Sequence, residues 1–463
     1  MTLRGIADAW FKFWFAPDTP TPIGLFRIFF GLLVLDAAII HIGPDVLDWY
    51  GPHGVTSADA VHRYWWLNEP RFDIFLLVPN TEPGVMALWY VFEAAIVCLV
   101  IGLWTRASAI VVTLFLISMD NRQPFAINGG DAMMRLLAGY LIFSEAGAAF
   151  SVDRLIKRWR KPTFGIDSRP KAVAPWGQRM IQVQMAITYW STECAKLSGA
   201  QWLDGTAVYY ATRLDDMINH PVFLYDNLWF CKFLTWYTLL FEGAMFTLVW
   251  IRDLRYWVLA GTLVMHLGID YSINLPVFEW IFMTSFIVFI YPEDLTKVMD
   301  FVKKHINATY GPAATLLYDP ASASQTSKAS VLEGIDILGR LNIRALEPSD
   351  KVAGQRLVGL SPHGPISNFD LFAWLTARLP ILWPLFPFIG LPWKLTVRPG
   401  VKPSSSQVSS VADEQQAVVA TADLPSAPNG DQSSASAPNG DQSSVQNSAE
   451  QSVPEVDESK DAT

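Results

Sequence analysis

Long apolar segments alternate with short polar loops over roughly the first 300 residues of the chain. Most of these segments are long enough for an α-helix to cross the hydrocarbon core of a bilayer. The third, seventh and eighth are shorter and suit tilted, partial or re-entrant helices, so seven to nine crossings stay open. We predict an all-α polytopic membrane domain of about eight spans. The predicted spans are 23–42, 83–103, 107–119, 131–150, 178–197, 229–250, 256–269 and 276–291.

Composition supports a membrane setting. The chain of 463 residues is 51% hydrophobic and 13% aromatic, with only 17% charged residues, and its mean hydropathy is +0.25. A soluble domain of this length needs fewer apolar residues. Acidic residues and prolines precede the first apolar segment, which is about as long as a full membrane span, so we expect that segment to be retained rather than cleaved as a signal peptide.

Lys and Arg residues predict the orientation of the membrane domain, because they are enriched in cytoplasmic loops. With the N-terminus inside, most of the basic residues in the loops fall on the cytoplasmic face, including the run RLIKRWRK at 154–161. We therefore predict that the N-terminus and the C-terminus are both cytoplasmic. The three cysteines, Cys98, Cys194 and Cys231, have no paired spacing, so we predict neither a disulfide framework nor a metal site.

Two acidic residues in the middle of apolar segments suggest an internal repeat. Glu93 precedes Arg106 by 13 residues, and Glu242 precedes Arg255 by the same interval. This repeated spacing is compatible with a duplication of four spans into eight and also with chance. A carboxyl group inside a span must be protonated or paired, and Arg27 and Arg135 are the candidate partners.

The composition changes after residue 304, where we place the end of the membrane domain (1–304). We predict a small cytoplasmic α/β domain over 305–400 from alternating strand and helix patterns. Its predicted elements are a strand at 313–318, a helix at 328–341, a strand at 342–346 and a helix at 370–379.

Two C-terminal segments do not fit this pattern. The apolar run LPILWPLFPFIGLPW at 379–393 contains four prolines, so we expect it to lie on the membrane surface or pack against the small domain rather than to span. Residues 401–463 are of low complexity and contain SAPNGDQSS twice. They are too polar to bury much surface, and we predict a disordered tail.

Lys196 provides the strongest chemical signal, since it lies where the fifth apolar segment ends, close to Trp202. An ammonium near a bilayer is costly unless it is paired, hydrated or neutralised. Loss of hydration favours the free amine of a lysine, which can act as a base or nucleophile. The alternative is that Lys196 only extends its charge to the membrane interface beside the indole.

Further polar residues are expected at the same, outer side of the membrane domain. His266 and Asp270 lie in the seventh predicted span, which runs in the same direction as the fifth. Asn128, Asp131 and Arg135 lie around the start of the fourth. These residues could form a pocket for a hydrophobic ring. The structural alternatives are a histidine bonded to a neighbouring helix, an acidic residue at a helix N-terminus and an Asp131–Arg135 pair one turn apart.

Four motifs resemble the horizontally transferred transmembrane (HTTM) domain family, which is related to the vitamin K-dependent gamma-glutamyl carboxylase. The resemblance implies that Lys196, followed by Leu197 and near Trp202, is the base that deprotonates a reduced quinone, and that His266 assists. It also implies O2 and CO2 as co-substrates. The motifs are PIGLFRIFFGLLVLD at 22–36, NGGDAMMRLL at 128–137, YWSTECAKLSGAQWLDG at 189–205 and MHLGIDYSINLPVFEW at 265–280.

The chain departs from the carboxylase in two respects. Ala195 stands where the eukaryotic enzyme has a second lysine, and we expect no counterpart of its large lumenal C-terminal domain. Quinol chemistry is therefore expected without carboxylation of a propeptide-bearing protein. The expected site comprises Lys196 and His266 as catalytic residues. The residues expected to bind the quinone or substrate are Asn128, Asp131, Arg135, Trp202 and Asp270.

The segment from about residue 313 to 393 is similar to the thiol-disulfide oxidoreductase family named after its Asp-Cys-Cys motif, which has a thioredoxin-like fold. Tyr318 and Asp319 of that motif remain, but Pro320 replaces its glycine. Ser322 and Gln325 replace its two cysteines. Thiol-disulfide exchange needs an attacking thiolate and a second sulfur, so we expect no such activity and a role in docking or stability.

Three functions therefore compete. The first is a quinol-linked membrane enzyme related to the carboxylase. The second is a transporter of a lipid or small molecule, and the third is a non-catalytic scaffold whose C-terminal domain binds a cytoplasmic protein. The expected partners are membrane lipid, a quinone and a cytoplasmic protein, with no nucleic acid.

Overall fold

The computed structural model describes residues 2–58, 61, 63, 71–123, 127–214, 218–219, 223–311, 313–347, 350, 357–361 and 364–396. Within these ranges the chain is mainly helical and has a four-stranded sheet towards its C-terminal end. The predicted disordered tail, 401–463, lies outside the described residues.

Each of the eight predicted spans is helical over most of its length. We label the α-helices of the described residues in chain order. They are α1 Leu3–Phe15, α2 Thr21–Asp36, α3 Val46–Tyr50, α4 Glu82–Ile101, α5 Thr105–Arg122, α6 Gly129–Phe143, α7 Val152–Arg160, α8 Trp176–Leu197, α9 Ala200–Leu203, α10 Ala207–Ala211, α11 Leu228–Thr247, α12 Arg252–Ser272, α13 Phe278–Ser285, α14 Pro292–Tyr310, α15 Ala323–Ile335, α16 Asn368–Thr376 and α17 Leu391–Thr396.

Three helical segments among the described residues are long and apolar enough to cross a bilayer. They are Thr21–Tyr50, Glu82–Ile101 and Leu228–Trp250, which correspond to the first, second and sixth predicted spans. A fourth candidate is formed by two consecutive helical segments, Asn368–Thr376 and Pro380–Lys394, with a bend of 105° between them. The remaining predicted spans form helices that are shorter or more polar, so eight crossings and the orientation of the termini remain predictions.

Helix α4 shows how local sequence sets the helix ends. The Thr81 hydroxyl caps its N-terminus by accepting the N–H of Gly84. Its C-terminus is closed by Gly102, whose φ of +69° lies in the left-handed region that glycine adopts most easily. A Cβ atom at this position would lie 2.5 Å from the Arg27 guanidinium, so the packing of Arg27 also requires glycine here.

Arg27 is fully buried in α2 and binds backbone carbonyl groups. Its guanidinium donates to the carbonyl oxygens of Ala146 at 2.7 Å and of Phe150 at 2.5 Å. These bonds connect α2 to the segment after α6, and the guanidinium has carbonyl oxygens rather than a glutamate as its hydrogen-bond partners. The predicted pairing of Arg27 with a mid-span glutamate is therefore wrong.

An aromatic core lies between α2, α4 and α5. The rings of Phe26 and Phe30 are 5.5 Å apart, and those of Phe92 and Phe115 are 4.8 Å apart, each pair stacked. All four residues and Trp89 are at most 1% exposed. In a bilayer such rings hold helices together by van der Waals packing rather than by the hydrophobic effect, so this cluster fixes the helices that support the polar residues.

The C-terminal sheet contains parallel and antiparallel strands in the order β2-β1-β3-β4. Strand β1 pairs in parallel with β2, and β3 pairs antiparallel with both β1 and β4. Helix α15 connects β1 to β2, and α16 follows β4. The strands are β1 Ala314–Tyr318, β2 Leu341–Ala345, β3 Val358–Ser361 and β4 Gly364–Ser367.

Several predicted boundaries in this region needed correction. The first strand is confirmed to within one residue, but the predicted helix 328–341 in fact runs from Ala323 to Ile335. It ends there because the Asp336 carboxylate accepts the N–H groups of Arg340 and Leu341 at 2.8 and 2.7 Å, which turns the chain into β2. Strands β3 and β4 were not predicted, since each has only four residues and includes glycine.

The sheet region contacts the helical domain through α7. The Arg158 guanidinium donates to Ser330 Oγ at 3.3 Å and to a Glu333 carboxylate oxygen at 3.4 Å, both on α15. Burial lowers the pKa of Arg158, and Glu333 counteracts that shift. Residues 1–400 form one compact unit, and the proposed boundary at residue 304 remains a prediction.

Candidate functional site

Helix α8 carries a row of polar side chains on one face. Tyr189, Thr192 and Lys196 are separated by three and four residues, the spacing that places side chains on the same side of a helix. Each contacts a polar group of another segment: Lys196 and Thr192 contact α11, and Tyr189 contacts α12. The row therefore brings together residues that are far apart in the sequence.

Lys196 forms an ion pair with Glu242. Its Nζ lies 2.8 Å from Oε1 and 2.7 Å from Oε2 of the carboxylate. The Lys196 side chain is 20% exposed and that of Glu242 is 9% exposed. The expected solitary amine is thus a paired group, and Glu242 has Lys196 as its partner rather than Arg27 or Arg135.

Trp202 covers one side of this pair. A turn at Gly199 begins the short helix α9, with the N–H of Trp202 bonded to the Gly199 carbonyl at 3.1 Å. This turn places the indole ring centroid 5.2 Å from Lys196 Nζ. An ammonium at this distance from an aromatic face is stabilised by about 0.5–2 kcal/mol. The ring also offers a flat apolar surface next to the amine.

His266 belongs to a second, more deeply buried cluster. Its Nε2 lies 2.6 Å from the Tyr189 hydroxyl, and its Nδ1 is in close contact with the Glu279 carboxylate. All three residues are buried, with relative exposures of 4% or less. A carboxylate on one ring nitrogen and a phenol on the other fix the orientation of the imidazole, and such a chain can hold or relay a proton.

Thr192 lies between the two clusters. Its hydroxyl oxygen is 3.1 Å from the Tyr189 carbonyl and 3.3 Å from Glu242 Oε2. Tyr189 and Lys196 are seven residues apart, which corresponds to about 10 Å along a helix. Lys196 and His266 therefore belong to neighbouring clusters joined through α8, and they do not contact each other directly.

Asn128 and Asp131 form a reciprocal cap at the start of α6. Asn128 Oδ1 accepts the N–H groups of Gly130 and Asp131, and Asp131 Oδ2 accepts the N–H of Asn128. Arg135 pairs with Asp120 at 2.7 Å. Of the two structural alternatives, the acidic residue at a helix N-terminus is confirmed, whereas the Asp131–Arg135 pair is wrong, because Arg135 pairs with Asp120.

Asp270 lines a cavity of about 530 Å³ together with residues of α2 and α13. Neither Lys196 nor His266 is among its lining residues. The structure therefore places the predicted site residues in five locations: the Lys196 cluster, the His266 cluster, the α6 cap, the Arg135–Asp120 ion pair and this cavity. Whether Asn128, Asp131, Arg135 and Asp270 bind a substrate remains a prediction.

Three residues of the α8 clusters were missed as site residues. The sequence marks Glu242 as an unusual acid within a span but does not reveal its partner, because Lys196 lies 46 residues earlier in the chain. Glu279 is a single acid within the apolar stretch NLPVFEWIF, which was a usable signal. Tyr189 had no distinguishing signal among the many aromatic residues. No group of metal-ligating side chains is found among the described residues, and the absence of a metal centre stays a prediction.

Comparison with known protein families assigns the helical domain. The family described as HTTM domain matches residues 15–293, which is more than half of the chain. The chain belongs to the HTTM domain family. It is thus a membrane protein of the family related to the vitamin K-dependent carboxylase, and the recognition made from the sequence motifs is confirmed.

The HTTM match includes α2 to α13 and therefore every residue of the α8 clusters. It ends before the C-terminal sheet, whose similarity to the Asp-Cys-Cys oxidoreductases stays a prediction. In that region Ser322 precedes α15, and the Gln325 side chain accepts the N–H of Asp319 at 3.0 Å. No curated protein and no solved structure matches the chain significantly.

Proposed function

We propose that this HTTM protein is a membrane enzyme that removes a proton from a hydrophobic quinol, with Lys196 as the base. The observation that supports it most is the contact of both Glu242 carboxylate oxygens with a partly exposed Lys196 ammonium. This contact supplies a proton acceptor next to the amine that must become free. The proposal assigns the proton transfer that the family relationship suggests to the Lys196–Glu242 pair.

Glu242 gives Lys196 a route to the neutral amine. When a proton shifts from Nζ to a carboxylate oxygen, two opposite charges disappear together, and no isolated charge is left in a poorly hydrated site. The carboxylate favours the ammonium while the pair is hydrated, so the transfer requires a bound ring that excludes water and raises the cost of keeping both charges. An arginine could not serve in this way, because a guanidinium does not lose its proton in proteins.

Access to the amine is consistent with a substrate that arrives from the lipid. One fifth of the Lys196 side chain is exposed, and Trp202 provides an aromatic surface 5.2 Å from its Nζ. A quinol ring stacked on this indole would bring an O–H group towards the amine. The O–H bond would break as a new N–H bond forms, which leaves the quinolate beside an ammonium.

The buried Tyr189–His266–Glu279 cluster acts as a positioning group in this proposal. It connects α8, α12 and α13 through contacts of side chains that solvent barely reaches. By fixing the rotation of α8, it determines where Lys196 points. General-base catalysis depends on placement within hydrogen-bond distance of the reacting proton, so this support affects the rate without contact with the substrate.

The family relationship suggests the steps after the proton transfer. O2 is the proposed oxidant of the quinolate, and CO2 is the proposed second substrate if a carboxylation step is retained. Carboxylation of a propeptide-bearing protein is not part of the proposal. The quinol, O2 and CO2 are substrates that no contact in the structure identifies, so the test relies on oxygen consumption with a defined quinol.

The test uses the purified full-length protein in lipid nanodiscs with a reduced naphthoquinone. We expect oxygen consumption that depends on the quinol and falls at least a hundredfold in Lys196→Ala. Lys157→Ala is the matched control, since Lys157 is an exposed lysine on α7, and it should keep the wild-type rate. Glu242→Gln should also lose activity, because an amide cannot accept the proton.

Equal rates in Lys196→Ala, Lys157→Ala and the wild type would refute the enzymatic proposal. The same result would shift support to the transporter or scaffold hypothesis. Thermal unfolding of each variant must be measured alongside, so that a loss of activity is not mistaken for a loss of fold.

A further inference from the structure

The cavity next to Asp270 is separate from the Lys196 cluster and has a distinct composition. It has a volume of about 530 Å³. It is bounded by α2, by α13 and by the segment that joins α12 to α13. Binding sites for small molecules have volumes of about 300–1,000 Å³ and combine apolar walls with a few polar groups. The size of this cavity is therefore sufficient for an organic ligand.

One part of the cavity lining carries carboxylates. Asp36 at the end of α2 and Asp270 on α12 both line it, and the His41 imidazole lies 3.4 Å from the Asp36 carboxylate. Among the described residues, neither a lysine nor an arginine lines the cavity. Two carboxyl groups therefore meet one imidazole in the described lining, and a bound ammonium would supply the partner that an acid within a membrane span requires.

The other part of the lining is apolar and reaches the protein surface. Phe29, Leu32 and Trp280 are each 46–48% exposed and line the same cavity. Phe29 and Leu32 belong to α2, which lies in a segment long and apolar enough to cross a bilayer. Half-exposed apolar residues on such a helix suit contact with lipid chains, so the cavity would be open towards the bilayer.

We propose that this cavity binds an amphiphile whose head group carries an ammonium, with the head group at Asp36 and Asp270. Its hydrocarbon chain lies against Phe29, Leu32 and Trp280. The charge of the lining favours a cation and opposes phosphate or sulfate, because like charges repel. The inference depends on the cavity alone and holds whether or not Lys196 is a base.

The test measures binding of radiolabelled dodecyltrimethylammonium to the full-length protein in dodecyl maltoside. We expect saturable binding, and no saturable binding of radiolabelled dodecyl sulfate measured in a separate titration. Asp270→Asn and Asp36→Asn should each weaken binding about tenfold or more. Asp45→Asn should bind like the wild type, because Asp45 is an exposed carboxylate outside the cavity lining. Leu33→Trp would fill the cavity and abolish binding while both carboxylates remain.

Several outcomes would overturn the proposal. Equal affinity for dodecyl sulfate in its own titration would show that the charge does not select the ligand. Equal affinity of Asp270→Asn and Asp45→Asn would exclude the proposed head-group position. Full displacement by tetramethylammonium at the same concentration as the long-chain probe would indicate a site for free amines rather than for an amphiphile. If Asp270→Asn does not fold, unchanged binding by a folded Leu33→Trp variant still refutes the cavity as the site.

Discussion

Two ion pairs in the same helical domain differ in their exposure and in whether their cation can release a proton. The Lys196–Glu242 and Arg122–Asp73 pairs both have a closest N–O distance of 2.7 Å. The side chains of Arg122 and Asp73 are each 1% exposed, whereas Lys196 is 20% exposed. Burial and the chemistry of the cation, rather than the ionic contact itself, therefore separate this structural pair from the pair that we propose to be reactive.

Arg122 has further partners. Its guanidinium also donates to the Tyr50 carbonyl at 3.2 Å and lies 4.8 Å from the Phe75 ring centroid. These contacts connect the end of α5 to two other segments and leave the group inaccessible. Lys196 has a carboxylate, an indole and an open side, and its amine can release a proton.

The largest effect is expected when the buried pair is broken. Arg122→Met would leave the Asp73 carboxylate buried without its cation, and removal of one partner of a buried pair costs about 3–5 kcal/mol. We expect a markedly lower melting temperature or no folded protein in dodecyl maltoside. The double variant Arg122→Met with Asp73→Asn should be more stable than Arg122→Met alone. If the single variant were as stable as the wild type, the structural assignment of this pair would be wrong.

The second effect concerns the reactive pair and should appear in activity rather than stability. Lys196→Arg keeps a cation beside Glu242, so we expect little change in melting temperature. The quinol-dependent oxygen consumption should fall by about 10²–10⁴-fold, the contribution of a positioned general base, since arginine cannot provide a free base. An active Lys196→Arg variant would show that a cation alone is sufficient at this position.

A smaller effect is expected at the buried histidine cluster. Tyr189→Phe removes the hydroxyl that contacts His266 Nε2, and an unsatisfied buried polar group costs about 1–3 kcal/mol. Quinol oxidation should fall less than in Lys196→Arg, because Tyr189 positions α8 and does not take the proton. An activity loss as large as that of Lys196→Arg would assign Tyr189 a direct part in proton transfer.

The smallest effect is expected at the cap of α6. Asn128→Ala removes the N-cap side chain and should reduce stability by about 1 kcal/mol. Asn128→Ser should restore most of this loss, because serine is also a favourable N-cap. Both variants should keep the Michaelis constant for the quinol. A raised Michaelis constant in a stable Asn128→Ser variant would support the original expectation that Asn128 contacts the substrate.

The sequence was informative where a residue type was unusual for its setting. Lys196 and His266 were identified because ionisable side chains are rare in apolar helices. Their partners were not identified, since pairing depends on how α8, α11, α12 and α13 pack, and no periodicity within one helix reveals this. Glu242 is an example: the sequence indicates that it needs a partner, but that partner is Lys196 rather than Arg27 or Arg135.

The C-terminal region shows a different limit. Strand β1 was evident from the sequence, whereas the similarity to the Asp-Cys-Cys oxidoreductases at Tyr318 and Asp319 stays a prediction. The next helix was misplaced by five residues at its start, since Ser322 and Ala323 give little periodic signal. Strands β3 and β4 are stabilised by pairing with β1 and with each other, which a local pattern does not reveal.

The most direct test of the account is chemical rescue of Lys196→Ala by small primary amines. The truncated side chain leaves space beside Glu242 and Trp202 that methylamine or ethylamine can enter. We predict that added amines restore quinol-dependent oxygen consumption, and that the rescued rate rises with the basicity of the amine. No rescue in a folded Lys196→Ala variant, or rescue that is independent of basicity, would contradict the assignment of Lys196 as the base.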